Sequence, residues 1–167
     1  MDIKITDDFM PQKVFEEYEN IFKEIFWFTG NVLYEGATCD PSDNFMFSHI
    51  FYNQFKPQSE LYFKYIEPLL SHMSVQSLIR VKANLTTRTE KIIKHGFHID
   101  NKFLVNTDTC FTSILYLNTN NGYTEFENGT KVESIKNRLI TFPISYRHTG
   151  TTCTDKSFRS VINFNYF

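Results

Sequence analysis

The sequence predicts an α+β domain that is mainly β, with two N-terminal helices followed by an antiparallel sandwich or barrel. Apolar residues recur at helical spacing in two segments before residue 76, short segments of alternating polarity begin at residue 77, and Asn-Gly turns separate some of them. The 167 residues are the length of one ordinary domain. We therefore expect a single domain over 1–167, with a helical and lid region at 1–76 and a β core at 77–167.

The composition is that of a globular protein with no global attraction to nucleic acid. Hydrophobic residues make up 41% and charged residues 22%, and the net charge is −2. The three cysteines are widely spaced and form no CxxC pair, a pattern typical of reduced thiols. The N-terminus carries acids where a signal peptide has basic residues, and no apolar stretch reaches the roughly 18 residues of a membrane span. These features predict a cytoplasmic protein without membrane contact.

Two amphipathic segments predict the helices. Residues 13–28 carry apolar side chains every three or four positions: Val14, Phe15, Tyr18, Ile21, Phe22, Ile25 and Phe26. Residues 59–73 repeat the pattern, and Pro68 within them is expected to kink or shorten the helix. Between the two, residues 34–57 are rich in aromatic residues without a clear period. This segment is either a cover over a functional site or a core-packing excursion, and the sequence favours neither.

The remaining sequence predicts seven short strands and two tight turns. Asn121-Gly122 and Asn128-Gly129 are strong hairpin signals, because both residue types tolerate positive φ. The strands are expected at residues 77–85, 97–100, 109–117, 123–126, 130–135, 138–144 and 158–166.

A His-x-Asp pair is the first candidate for chemistry. Residues two apart in a strand point to the same face, so His98 and Asp100 are expected to converge inside a barrel. His148, in a turn after a later strand, would complete a set of two imidazoles and one carboxylate, the arrangement of non-haem Fe(II) oxygenases. The His-x-Asp pair alone is weak support for a metal site, because a hydrogen-bonded core histidine beside a turn-forming aspartate gives the same pattern.

Two further residues strengthen the interpretation of this region as a functional site. Arg159 begins the last, strongly apolar strand, and an inward-facing arginine beside a metal offers a two-pronged donor for a carboxylate. Alternation along residues 111–118 places Tyr116 where it could reach the same ligand. Taken separately, Arg159 could be a surface residue and Tyr116 a packed aromatic.

Taken together, these motifs resemble those of the Fe(II)- and 2-oxoglutarate-dependent oxygenases, in particular the prolyl-4-hydroxylase-like branch and its small members encoded by bacteriophages. The resemblance covers about residues 77–167. Its motifs are His98-Ile99-Asp100, the run from Thr112 to Asn118, Gly122-Tyr123-Thr124-Glu125-Phe126, and His148 followed by Arg159.

The resemblance implies a double-stranded β-helix, or jelly roll, with N-terminal helices packed on one sheet. It also implies an iron site made by His98, Asp100 and His148. Arg159 would pair with the distal carboxylate of 2-oxoglutarate, and Tyr116 would hydrogen-bond the same group.

Asn84 is a further candidate, for the other end of 2-oxoglutarate. The chain departs from the family at Val161, where members often carry a hydroxyl residue two positions after the arginine. This departure affects the pocket expected around the distal carboxylate of 2-oxoglutarate, but not the salt bridge expected from Arg159.

The implied function is a dioxygenase that uses Fe(II), 2-oxoglutarate and O2 to hydroxylate a C–H bond, with release of succinate and CO2. Kinship to prolyl hydroxylases favours a peptide or protein residue such as proline, and a small molecule comes next. The pI near 6.2 and Asn165, where nucleic-acid dealkylating relatives carry a second arginine, argue against nucleic acid. The resemblance to phage proteins would place the protein in the host cytoplasm.

Two other classes of protein stay open on the sequence alone. A jelly-roll binding module would need neither Arg159 nor Tyr116 to face a metal. A cupin-like metal enzyme with another cosubstrate would more often use three or four histidines. The other histidines, His49, His72 and His95, are interpreted as structural or surface residues.

Overall fold

The large sheet of this fold is built from segments at both ends of the chain. The computed structural model describes residues 3–32, 34–101 and 109–167. The strands in these residues are β1 Lys4–Thr6, β2 Phe28–Asn31, β3 Phe45–Asn53, β4 Lys56–Pro57, β5 Leu78–Thr87, β6 Phe111–Tyr116, β7 Tyr123–Phe126, β8 Lys131–Glu133, β9 Leu139–Pro143, β10 His148–Gly150 and β11 Phe158–Tyr166.

These strands form two antiparallel sheets. The eight-stranded sheet has the order β1-β9-β6-β11-β5-β3-β2, with β4 also paired to β3. The smaller sheet has the order β10-β7-β8. Among the described residues no helix is long and apolar enough to cross a membrane.

Alternation along the strands gives the large sheet two different faces. Val81, Ala83 and Ile162 belong to a core shared with the N-terminal helices, which contribute Phe15 and Ile66. The opposite face packs toward the small sheet in a second core made of Ile114, Tyr116, Phe126, Val132, Ile140, Phe142 and Val161. Each large apolar side chain buried in these cores stabilises the fold by about 2 kcal/mol. The second core therefore holds the two sheets together and leaves a cavity beside it.

The helices are shorter than the sequence predicted. The segment at 13–28 contains α1, Gln12–Tyr18, and a 3₁₀ turn, Ile21–Lys23, and then becomes strand β2. Phe15, Tyr18, Ile21 and Ile25 are buried as the amphipathic pattern required, but Val14 and Phe26 are exposed. Residues after the 3₁₀ turn pair with β3 instead of continuing the helix.

The second predicted helix, at 59–73, is a π-helical turn, Tyr62–Ile66, followed by α2, Glu67–Leu70. Pro68 lies in the first turn of α2, where a missing N–H removes no intrahelical hydrogen bond. The proline therefore fits the start of a short helix instead of interrupting a long one.

The aromatic segment at 34–57 contains a strand that the sequence did not reveal. Strand β3 pairs with β2, β4 and β5 inside the large sheet. Its register shifts between Ile50 and Tyr52, and this irregularity hides the alternation that would identify a strand. The first 76 residues therefore supply β1 to β4 in addition to α1 and α2, so this region is not helical throughout.

The strands predicted after residue 77 are found, with one exception. Residues 97–100 make only an isolated bridge, in which His98 pairs with His148. The hairpin at Asn128-Gly129 is confirmed between β7 and β8, with Gly129 at φ +87°. The hairpin at Asn121-Gly122 is wrong, because β6 and β7 lie in different sheets. Gly122 is needed there for close approach, since a Cβ would lie 2.6 Å from the Thr152 carbonyl oxygen.

Gly96 is the residue that lets the chain turn between two histidines of the site, and its substitution makes a testable prediction. Its φ is +99°, and a Cβ would lie 2.6 Å from the Tyr34 carbonyl oxygen. We expect Gly96→Ala to lower the free energy of unfolding by about 2 kcal/mol or more, because a positive φ and a backbone clash add together. Urea denaturation measures this. Gly30→Ala is the control, since a Cβ there meets nothing within 4 Å, and equal losses in both variants would contradict the prediction.

Candidate metal centre and its cavity

The structure brings His98, Asp100 and His148 together. One ligand atom from each lies within 4.8 Å of the others. The backbones of the two histidines exchange N–H···O hydrogen bonds of 3.0 Å in both directions, and Nε2 of His98 lies 3.7 Å from Oδ1 of Asp100. The three residues expected from the sequence thus form one cluster.

Backbone hydrogen bonds fix the orientation of both imidazoles. Nδ1 of His148 lies 3.0 Å from the Tyr146 carbonyl oxygen, and Nδ1 of His98 lies 3.3 Å from that of Gly96. A carbonyl oxygen only accepts, so each Nδ1 carries the hydrogen and each Nε2 keeps a free lone pair. Burial lowers the pKa of His148, which favours the neutral ring that binds metals.

The carboxylate of Asp100 is held on several sides by groups that the sequence did not identify. Oδ2 accepts hydrogen bonds from Thr112 Oγ1 at 3.1 Å and from Asn165 Nδ2 at 2.9 Å, and Oδ1 lies 3.2 Å from the Arg80 guanidinium. Burial opposes ionisation of this carboxyl, but the positive charge of the Arg80 guanidinium helps to hold the pKa of Asp100 well below its usual range. Asp100 is therefore ionised near neutral pH.

This donor set fits a divalent first-row ion such as Fe(II). Two neutral imidazoles and one carboxylate on one side of an ion leave further coordination positions open to ligands. The buried hydrogen bonds around Asp100 and the backbone contacts of both imidazoles orient the donors before any ion binds.

A cavity of about 350 Å³ opens beside the three residues. Its floor is the inward face of the large sheet, where alternate residues of β5 and β11 point away from the helices. Strand β5 contributes Arg80, Lys82, Asn84 and Thr86, and β11 contributes Arg159, Val161 and Asn163.

Arg159 lies at the end of this cavity that is formed by Thr86 and Thr124, and it is only 5% exposed. Its Nε donates to Ser134 Oγ at 2.8 Å and one terminal nitrogen donates to Thr124 Oγ1 at 3.2 Å. No carboxylate within the described ranges pairs with it. Burial lowers the pKa of Arg159, but a guanidinium stays charged in proteins. A buried cation without a counterion is costly, so the arrangement favours an anionic ligand.

Tyr116 is not on the cavity wall, in contrast to the expectation that it contacts a ligand directly. Its hydroxyl donates to Thr124 Oγ1 at 2.8 Å, and the Arg159 guanidinium lies 5.5 Å from its ring centroid. Tyr116 therefore positions Arg159 and Thr124, which line the cavity, without lining it itself. Asn84, by contrast, does line the cavity, and its Oδ1 is buried without a hydrogen bond.

Three hydroxyl residues from elsewhere in the chain surround Arg159, although Val161 carries no hydroxyl. Thr124 and Ser134 bond the guanidinium of Arg159, and Thr86 lies opposite Arg159 in the register of β5 and β11. The sequence could not reveal this arrangement, because the three hydroxyl residues are far from Arg159 along the chain.

His95 is buried and also lines the cavity, which the sequence did not predict. The side-chain nitrogen of Asn44 donates to the carbonyls of Val32 and His95, which leaves the Asn44 oxygen to accept from Nδ1 of His95 at 2.6 Å. Nε2 of His95 is then an acceptor, buried and without a partner. Burial, followed by the charge of Arg159, lowers the pKa of His95 to about 4.

Tyr34 is a second cavity residue that the sequence did not identify. Its ring stacks on that of His98, with the centroids 4.2 Å apart and the planes 6° apart. An isolated tyrosine in an irregular segment gives no signal of such a contact. The remaining histidines lie elsewhere, since His49 packs against Phe51 and His72 is exposed.

The sequence matches no protein-family model and no curated protein, but the fold matches solved structures. An oxidoreductase of the 2OG-Fe(II) oxygenase family from Burkholderia pseudomallei has a TM-score of 0.70 at 12% identity, over 98% of this chain and 84% of that chain. A Trichoplax adhaerens prolyl hydroxylase in complex with a hypoxia inducible factor peptide has a TM-score of 0.66 at 14% identity, over 98% and 83%. HygX from Streptomyces hygroscopicus, with nickel, 2-oxoglutarate and hygromycin B bound, has a TM-score of 0.63 at 8% identity, over 98% and 82%.

These likenesses establish the fold. The chain is a mainly β protein with the jelly-roll fold of the 2-oxoglutarate and Fe(II) oxygenases, and its N-terminal helices pack on the large sheet. The fold class predicted from the sequence, and the resemblance on which it rested, are confirmed at the level of fold.

His95 makes a prediction about stability and pH. Its pKa is about 4 in the folded protein against an ordinary value of 6.5, so the unfolded chain takes up the proton first as the pH falls. Stability is therefore lost below pH 6.5, by about 2 kcal/mol between pH 7.5 and pH 5.0. His95→Gln removes this contribution. Urea unfolding at both pH values should show a larger loss for wild type than for the variant, and equal losses would contradict the assignment.

Proposed function

We propose that this protein is an Fe(II)- and 2-oxoglutarate-dependent dioxygenase that hydroxylates a C–H bond and releases succinate and CO2. The observation that carries the proposal is one cavity that joins three convergent candidate metal ligands to a buried arginine, which has no counterion among the described residues. A binding module would have no use for a desolvated guanidinium beside such a cluster.

In this proposal His98, Asp100 and His148 hold Fe(II), which would supply the activation of O2 for C–H oxidation. The protein keeps both Nε2 lone pairs available through the Nδ1 hydrogen bonds, and keeps Asp100 ionised through its neighbours. Phe142 and Phe126 pack around the His148 ring, with centroids at 4.9 and 6.2 Å. They exclude water from that side of the site.

The cosubstrate pocket centres on Arg159. Its guanidinium and the Thr124 hydroxyl would bind the distal carboxylate of 2-oxoglutarate, because a rigid fork of donors matches a carboxylate. Tyr116 acts behind them as a positioning residue. Asn84, farther along the cavity floor, is the candidate for the other end of the cosubstrate.

The prime substrate that we propose is a residue of a peptide or protein, such as proline. The Trichoplax adhaerens structure, a prolyl hydroxylase in complex with a peptide, supports this class. The HygX structure with hygromycin B supports small molecules as the second class.

The first test is an anaerobic titration of the protein with Fe(II) and then 2-oxoglutarate. We expect a weak visible charge-transfer band that needs both components, and its loss in His148→Ala, which removes a metal ligand. His72→Ala is the control, because His72 is exposed and outside the cavity. Iron binding without the band would contradict the assignment of 2-oxoglutarate as the cosubstrate. An unchanged band in His148→Ala would contradict the assignment of the metal site.

Arg159 is tested through the affinity for 2-oxoglutarate. We expect Arg159→Met to weaken binding to the Mn(II)-loaded protein by about 30-fold, since a charge-assisted hydrogen bond contributes about 2 kcal/mol. Isothermal titration calorimetry measures this, with Arg147→Met as the control for an exposed arginine paired with Glu127. Equal affinities of the two variants for 2-oxoglutarate would contradict the placement of Arg159 in the cosubstrate pocket.

A further inference from the structure

A third cation on the cavity wall, Lys82, has no role in the site described so far. It lies on the inward face of β5 between Arg80 and Asn84. Within the described part of the chain its ammonium group makes no hydrogen bond and no ion pair. Burial, followed by the charge of Arg80, lowers the pKa of Lys82. Its ammonium group is thus partly desolvated without compensation.

The charges that line the cavity do not balance. Among its described lining residues there are three cations, Arg80, Lys82 and Arg159, and one acid, Asp100. Asp100 is already paired with Arg80. Fe(II) and the dianion 2-oxoglutarate would cancel each other, so their binding leaves the surplus of positive charge unchanged. Unpaired charge in a partly desolvated site is unfavourable, and a further anionic group in the cavity would relieve it.

Lys82 lies toward the metal end of the cavity. It is two residues, or about 7 Å, from Arg80, which holds the ligand Asp100. In the other direction, Thr86 lies four residues away, about 13 Å, opposite Arg159. Lys82 is therefore separated from the pocket that would take the distal carboxylate.

The neighbour of Lys82 across the sheet is suited to the same ligand. Asn163 pairs with Lys82 in the register of β5 and β11 and also lines the cavity. Its Oδ1 is buried without a partner, and its amide makes no hydrogen bond within the residues that the structure describes. An ammonium and a free amide side by side can together bind both oxygens of a carboxylate.

We infer that Lys82, assisted by Asn163, is a second carboxylate-binding residue of the cavity, at its metal end. The inference rests on the proposed function. The carboxylate belongs either to the prime substrate, which is then an acidic compound or an acidic peptide, or to the α-carboxyl end of 2-oxoglutarate.

The test compares Lys82→Met with Lys56→Met, which removes an equal charge from the exposed strand β4. Calorimetry first measures 2-oxoglutarate binding to the Zn(II)-loaded proteins. Saturation-transfer NMR then follows N-acetylglycine, and its neutral counterpart N-acetylglycinamide, on the Zn(II) proteins saturated with 2-oxoglutarate.

A loss of 2-oxoglutarate affinity of about tenfold or more in Lys82→Met alone assigns the carboxylate to the cosubstrate. Unchanged 2-oxoglutarate affinity, with an N-acetylglycine signal in wild type that disappears in Lys82→Met, assigns it to the substrate. N-acetylglycinamide should give no signal in either protein. Lys82→Arg keeps the charge and should restore binding, which separates a lost contact from a misfolded variant.

The inference is overturned if Lys82→Met matches Lys56→Met in both measurements. Failure of the proposed function looks different, because the wild-type protein would then not bind 2-oxoglutarate at all. In that case N-acetylglycine binding to the Zn(II)-loaded protein still decides whether Lys82 holds a carboxylate.

Discussion

The site depends on the hydrogen bonds that hold residues 98–100 to both sheets. These residues belong to neither a helix nor a strand. The backbone of His98 pairs with that of His148, at the end of a strand in the small sheet. Two residues later, Asp100 is bonded by Thr112 and Asn165 of the large sheet. The segment that carries two of the three candidate metal ligands therefore gains its position from contacts at both ends. Regular secondary structure contributes little within it.

The same segment explains which parts of the site the sequence could predict. The convergence of His98 and Asp100 follows from a spacing of two in extended backbone, which needs no long-range information. His148 and Arg159 were found because their types and order match a known chemistry. The roles of Arg80, Thr112 and Asn165 depend on the pairing of distant strands, and that register cannot be read from one chain.

His95 and strand β3 show two other limits of sequence reasoning. His95 and His98 are three positions apart, so a regular strand would turn their side chains to opposite faces. Gly96, at positive φ, breaks that regularity and allows both to line the cavity. In β3 a shift of register hides the alternation, and aromatic residues that resemble a loop or cover are part of the sheet.

The two faces of strand β5 have different surroundings, because one belongs to the helix-side core and the other lines the cavity. Val81 and Ala83 pack against the helical layer, while the even-numbered residues from 80 to 86 face the cavity. Exchanges at the even positions can therefore change what the cavity accepts without removing apolar contacts from the helix-side core. The two faces of β5 can thus be altered separately, and the fold itself persists among solved structures that share only 8 to 14% identity with this chain.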